Sequence, residues 1–292
     1  MKMLKKLGLI AMLVTVLVLT ACGGSDEEVL RIGLSLDEAN PNAGAANENF
    51  IAALEAYIGM PVEVVEDVTY LIGIEAMRSG NLDVMFASSF NYVQAREAVE
   101  VEIVATLNPS EDTVTYFIVR GDSDIQTMED LEGRSFAFVN EASTSGFLFP
   151  AYDLINMFDL DATQIAAPGH FFSNVVFSGQ HDNSVIGVYN GDFDGAAVID
   201  IIIENLDASG IVERDNLRVV GTSSPHPAPS YIARSEIGEE LISQLRSFLL
   251  AYDDPEFFEA LWVHEPTIRF SEPDAAGYAY VESLARTLGI GE

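Results

Sequence analysis

Short apolar runs rich in β-branched residues alternate with segments whose apolar residues fall at helical spacing, and this alternation constrains the fold more than any other feature of the chain. VLRIGLSL (29–36) is strand-like, and NENFIAALEAYIG (47–59) is helical and closed by a glycine. PVEVVE (61–66) is again a strand, followed by the helix YLIGIEAMRSG, which Thr69 is placed to cap. LDVMFA (82–87) is another strand, followed by the helical NYVQAREA. Repeated strand-then-helix units predict a mostly parallel sheet with helices on its faces.

A second unit begins within TVTYFIVRGDSDIQTMEDLEGRSFAFV (113–139), where the strand YFIVR is followed by a polar segment with a short helix and then by a fresh strand, SFAFV. The pattern continues through VVFSGQHDNSVIGVYNGDFDGAAVID (175–200) and the strand LRVVG (217–221). TSSPHPAPS (222–230) carries three prolines and reads as a connection between units, because proline cannot supply the donors a central strand needs. The remainder, with GEELISQLRSFLLAYDD, is helical and returns to cover the first unit. Two crossings predict two α/β lobes around a cleft, with residues 29–117 and 224–292 in lobe 1, residues 118–223 in lobe 2, and a hinge of two segments near 116–120 and 221–230.

The first 21 residues have a basic start and an apolar run ending in small residues, as export signals do, and are too short for a stable membrane span. Leu19-Thr20-Ala21-Cys22 resembles the bacterial lipobox, so Cys22 is expected to carry lipid and residues 22–28 to form a polar tether. The mature protein is then extracytoplasmic and held to the membrane by its lipid. Cys22 is the only cysteine, which rules out a disulfide within the chain.

Charge narrows the choice of partners. All three lysines lie in the signal, so the mature chain has 11 arginines against 46 acidic residues, a net of −35. Nucleic acid is excluded, since binding it depends on neutralising phosphates with basic groups. So acidic a surface fits either high external salt or a strongly solvated face. With 49% hydrophobic residues the chain is not disordered, and its length fits two domains.

Against this acidity, EASTSGFLFP (141–150) places Ser143, Thr144, Ser145 and Gly146 between an apolar strand and an apolar helix. A helix start offers unpaired backbone N–H groups and the positive end of the helix dipole, an anion site that needs no lysine. The three hydroxyls add donors, and Gly146 would let a ligand approach the backbone; the plainer reading is an N-cap serine with polar neighbours. Other polar residues fall at comparable places. Tyr70 and Tyr92 lie at helix starts after strands, His181 stands between VVF and NSVIGVY, and Asp200 closes the strand GAAVI. Taken singly, a tyrosine there packs, a histidine satisfies a local hydrogen bond and an aspartate caps. Together they converge on one cleft, because ligands of open α/β sheets bind at the carboxyl ends of the strands.

YLIGIEAMRSGNLDVMFASSFNYVQA, DLEGRSFAFVNEASTSGFLFPAYDL, SGQHDNSVIGVYNGDFDGAAVID and SSPHPAP resemble successive signature segments of the phosphate/phosphite/phosphonate-type substrate-binding proteins of ABC transporters, from about residue 29 to about 275. The resemblance implies a type II periplasmic-binding-protein fold whose lobes close on a phosphorus oxyanion. It further implies that Ser143, Thr144 and Ser145 hold the anion, with Tyr70, Tyr92, His181 and Asp200 completing the pocket, a membrane permease as partner, no cofactor, and a monomer. The chain departs from the family pattern at ASSFNY (87–92), where relatives commonly have Gly-Pro before the second tyrosine, so the wall near Ser88 and Ser89 differs.

Other classes fit less well. A hydrolase could draw on Ser145, His181 and Asp200, but the chain lacks a Gly-x-Ser-x-Gly elbow. A metal site is disfavoured because His170, His181, His226 and His264 show no i, i+4 pairing. A sensor lipoprotein presenting a small anion to a membrane receptor would use the same lobes and remains the alternative to an importer component.

Overall fold

The computed structural model describes residues 28–34, 43–109, 113–263, 265, 267–273 and 275–289. The signal, Cys22 and most of the tether lie outside these residues, as does His264. Among the described residues no helix is long and apolar enough to cross a membrane.

The described chain folds into two α/β lobes, each built on its own sheet. The first run supplies β1 (Leu30–Gly33), α1 (Ala43–Ile58), β2 (Val62–Val64), α2 (Tyr70–Arg78), β3 (Val84–Ala87), α3 (Ser89–Ala98) and β4 (Val101–Asn108). The second run supplies β5 (Thr115–Arg120), β6 (Ser135–Phe138), a π-helical turn Thr144–Leu148 continuing into α4 (Phe149–Phe158), β7 (Asn174–Phe177), α5 (His181–Asn190), β8 (Gly195–Ile199), α6 (Asp200–Ala208) and β9 (Leu217–Thr222). The chain then returns with β10 (Ser230–Arg234), α7 (Glu239–Ala251), α8 (Pro255–Leu261), β11 (Arg269–Ser271) and α9 (Ala275–Leu288). Strand order is β11-β4-β10-β3-β1-β2 in one sheet and β7-β6-β8-β5-β9 in the other.

Both sheets are mixed rather than mostly parallel. β1 runs parallel to β2 and β3, and β6 to β7 and β8, as strand–helix units require. Both strands that follow a crossing run against their neighbours, β5 antiparallel to β8 and β9 and β10 antiparallel to β3 and β4, and β11 is antiparallel to β4 at the sheet edge. A strand delivered from the other lobe enters from the cleft side and so runs against its neighbours. The returning segment is therefore not only a helical cover, since it seats β10 in the middle of the first sheet. The lobe boundary expected at 117/118 falls inside β5, all of which pairs within the second sheet. The first crossing lies between Asn108 and Thr115. The second, between Thr222 and Ser230, runs beside it through a bridge of Thr113 with His226.

Aromatic side chains fill the core of lobe 1, where Phe50 stacks on Phe257 at 4.9 Å and meets Tyr252 edge-on at 5.1 Å. A second buried cluster joins the lobes, with Leu148 and Phe149 packed among Ile74, Met77, Phe90 and Tyr278. Burying such side chains contributes roughly 1.5–3 kcal/mol each. The start of α4 is thus anchored in lobe 1, which fixes where the preceding hydroxyl turn can sit.

Candidate ligand-binding site

β6 ends at Phe138, and the chain turns through Asn140, whose carbonyl accepts the Ser143 N–H at 2.9 Å. Ser143 caps the helix that follows: its Oγ accepts the Gly146 N–H at 2.9 Å. The first turn is wide, with the Leu148 N–H donating to the Ser143 carbonyl at 3.0 Å. Gly146 has a different role from the expected opening for a ligand. A Cβ there would stand 2.3 Å from Val139 Cβ, so the glycine lets the turn press onto the end of the strand.

The backbone donors expected to receive an anion are partly taken. The Gly146 N–H goes to Ser143, and the Thr144 N–H goes to Ser88 Oγ across the cleft at 3.4 Å. Hydroxyl protons add to the backbone donors that remain. Ser143 Oγ accepts twice, from Gly146 and from Tyr70 OH at 3.3 Å, and its own proton has no acceptor among the described residues. Thr144 Oγ1 accepts the Phe90 N–H at 2.7 Å and shares a proton with Ser89 Oγ at 3.1 Å, which leaves one proton of that pair uncommitted.

Ser145 follows from His181, the first residue of α5. His181 Nδ1 accepts the Ile199 N–H at 3.1 Å, so Nε2 carries the ring proton and donates to Ser145 Oγ at 3.2 Å. Burial, with His226 nearby, pushes the imidazole down to about 3, so the ring is neutral. The Ser145 proton again meets no acceptor among the described residues. Ser143, Thr144, Ser145 and Ser89 are each at most 5% exposed.

The turn is held from below by the hinge. Thr115 Oγ1 donates to the Ser145 carbonyl at 2.7 Å and lies 3.3 Å from His226 Nε2. The Phe149 ring lies tilted against His226, with centroids 5.2 Å apart. Tyr70, the first residue of α2, reaches the turn from a left-handed backbone conformation (φ 30°) that a tyrosine rarely adopts. Burial pushes its phenol up to about 12, so it stays protonated and donates. Thr69 occupies the cap position before it but makes no side-chain cap bond.

Asp200 starts α6 beside Ile199, and its carboxylate accepts the Ile201 N–H at 2.8 Å. Its backbone N–H donates to the Val114 carbonyl at 3.2 Å, which ties it to the hinge strand. Tyr92 is elsewhere. Because α3 begins at Ser89, Tyr92 comes a turn later and faces α9, edge-on to Tyr278 at 5.1 Å with the Arg96 guanidinium 5.8 Å from its ring. The structure thus brings Tyr70, Ser143, Thr144, Ser145 and His181 together, sets Asp200 beside them on the next residue of the His181-bonded strand, and leaves Tyr92 in the α3–α9 seam. Among the described residues no group of three or more His, Cys, Asp or Glu is placed to hold a metal.

This geometry can be set against known proteins. Residues 32–278 match the family described as "ABC transporter, phosphonate, periplasmic substrate-binding protein". The chain belongs to this family. A relative from Mycolicibacterium smegmatis, the phosphate-import protein PhnD, is 27% identical over 260 residues, covering 83% of this chain and 81% of its own. The probable ABC transporter phosphite binding protein PhnD1 of Prochlorococcus marinus is 22% identical over 277 residues, covering 90% and 91%. The structure of that PhnD1 in complex with methylphosphonate superposes with a TM-score of 0.74 at 20% identity, covering 89% of this chain and 98% of the other.

As a member of the phosphonate-type binding family, the chain is a solute-binding component of an ABC transporter with the type II periplasmic-binding fold, and not an enzyme. The His181 tautomer agrees with that. Nε2 already carries a proton and cannot accept one from Ser145, so the serine–histidine pair is wired as a donor and not as a nucleophile with its base.

Sequence reasoning missed Thr115 and His226 as supports of the turn. His226 was visible between two prolines in the crossing segment, but Thr115 sits inside a strand with no distinguishing neighbour. Ser88 and Ser89 were visible only as a departure from the family pattern.

Proposed function

We propose that this chain is the lipid-anchored receptor of an ABC importer for a phosphorus oxyanion, delivering it to a membrane permease as a monomer. The observation that carries this reading is the set of buried hydroxyl protons that meet no acceptor among the described residues: Ser143, Ser145, and one from the Thr144–Ser89 pair. Buried donors without acceptors are costly unless something supplies the acceptors. A PO3 group does so with three oxygens about one centre, and neutral donors bind it more strongly once closure removes water from around them. Asp200 then accepts from a protonated ligand oxygen. Closure occurs by rotation about the two crossings, at residues 113–114 and 223–229.

The signal and lipobox place Cys22 as the lipid-bearing residue on the outer side of the membrane, and the names of the relatives fit phosphate, phosphite and phosphonates equally. The test is thermal shift and titration calorimetry of the processed chain against phosphate, phosphite, methylphosphonate and sulfate. At least one phosphorus anion should raise the melting temperature by mass action while sulfate does not. No shift with any phosphorus anion would reject the reading.

A further inference from the structure

Ser88 and Ser89 stand side by side at the start of α3, both face the hydroxyl turn, and their hydroxyls are used differently. Ser88 is saturated: it donates to the Ala142 carbonyl at 3.3 Å and accepts the N–H groups of Asn91 at 3.3 Å and Thr144 at 3.4 Å. Ser89 is fully buried and has one partner, Thr144 Oγ1 at 3.1 Å. Thr144 Oγ1 already accepts the Phe90 N–H at 2.7 Å. The Ser89–Thr144 pair therefore owns two protons and uses one between its members, and the other meets no acceptor among the described residues whichever oxygen carries it.

We propose that Ser89 is a positioning residue for ligand binding, contributed by lobe 1: it donates to Thr144 Oγ1 and thereby turns the Thr144 O–H onto the bound anion. This rests on reading the cleft as an oxyanion site. An acceptor on the side of the turn draws the Thr144 proton to itself, and the second lone pair of Thr144 Oγ1 then takes the Ser89 proton. Thr144 Oγ1 accepts from two donors in that arrangement, and a hydroxyl that accepts two hydrogen bonds is a stronger donor, since bonds in a chain polarise one another. Ser89 also joins the lobes at the ligand, because Thr144 belongs to lobe 2 and α3 to lobe 1.

The test is a double-mutant cycle in the full chain, Ser89→Ala and Thr144→Ala alone and together. Affinity for inorganic phosphate, phosphite and methylphosphonate is measured by calorimetry, and ligand-free melting confirms that each variant is folded. Ser89→Ala should weaken whichever of these anions the wild type binds by about five-fold, within the range of one hydrogen bond. In the Thr144→Ala background the same change should alter affinity less than two-fold, because Ser89 acts through Thr144. Ser89→Ala within two-fold of wild type, or an equal loss in both backgrounds, overturns the proposal. A wild type that binds none of the three overturns the oxyanion reading itself and takes this proposal with it.

Discussion

The Ile199 backbone N–H donates to His181 Nδ1 at 3.1 Å, and this bond fixes the proton on the other ring nitrogen, which faces Ser145. The ring is neutral because burial holds it down to about 3, and His226 at the hinge is held down to about 4 by the same cause. Both folded values lie below the ordinary 6.5. The unfolded chain therefore takes up protons near pH 6.5 while the folded chain does not, and the stability from each neutral ring is complete above that pH and lost as pH falls. The loss is about 1.4 kcal/mol per histidine at pH 5.5. Urea unfolding at pH 7.5 and 5.5 should show a smaller decline for His226→Gln than for wild type. Equal declines would mean that His226 is not buried neutral in solution.

The free protons of Ser143 and Ser145 predict how affinity divides. Ser145→Ala removes a donor to the anion and strands the His181 Nε2–H, and should cost roughly 1.5–3 kcal/mol of binding. Hypophosphite has two oxygens where phosphite has three, so one of the three hydroxyl donors stays unmet, and it should bind at least about ten-fold more weakly. Competition calorimetry on one preparation tests both. Equal affinity for hypophosphite and phosphite would show that one of the three protons plays no part.

Gly146 separates stability from binding. A Cβ at this position would lie 2.3 Å from Val139 Cβ and 2.9 Å from Ser143 Oγ. Val139 is fully buried and cannot yield without moving the strand end. Gly146→Ala should destabilise the protein by about 1–3 kcal/mol, as overpacked cores do. Val139→Gly, which removes both the Cβ at 2.3 Å and the Cγ2 at 2.4 Å, should cost less in the Gly146→Ala background than in wild type. A fully stable Gly146→Ala would mean that the turn is not pressed onto β6 as described.

Much of this architecture is legible from local signals. Strand-then-helix periodicity marks the units, the three prolines mark the second crossing, and the Ser-Thr-Ser-Gly run marks the helix start. What stays hidden depends on partners far away in the chain. β4 alternates too irregularly to stand out, with Glu102 exposed between buried Val101 and half-buried Ile103, and becomes a strand because β10 arrives beside it. β5 begins before its expected boundary because its register is set by β8 and β9. Tyr92 carries the same local signal as Tyr70. Only the position where α3 starts, set by the Ser88 cap, turns it toward α9. The role of Gly146 was misread for a similar reason, since nothing near it in sequence shows that Val139 lies beneath.

Asp200 brings a negative charge to a site for an anion, which is useful only if it selects among anions. The carboxylate has one oxygen engaged by the Ile201 N–H at 2.8 Å and starts a helix one residue beyond the strand end that holds His181. A carboxylate accepts and does not donate, so it can meet an anion favourably only through a proton on that anion. Phosphate and the phosphonates keep such a proton near neutral pH, whereas sulfate has none. The rest of the acidic surface contributes little to this choice, because charges farther than a Debye length of about 8 Å are largely screened at physiological salt. Asp200→Asn supplies a donor where there was only an acceptor and removes the charge beside the ligand. Affinity for the protonated anion should fall, while affinity for the fully ionised form or for sulfate falls less or rises. Competition of the best ligand against sulfate between about pH 6 and 9, on wild type and Asp200→Asn, measures the difference. Equal discrimination by both proteins across that range would make Asp200 a helix cap and nothing more.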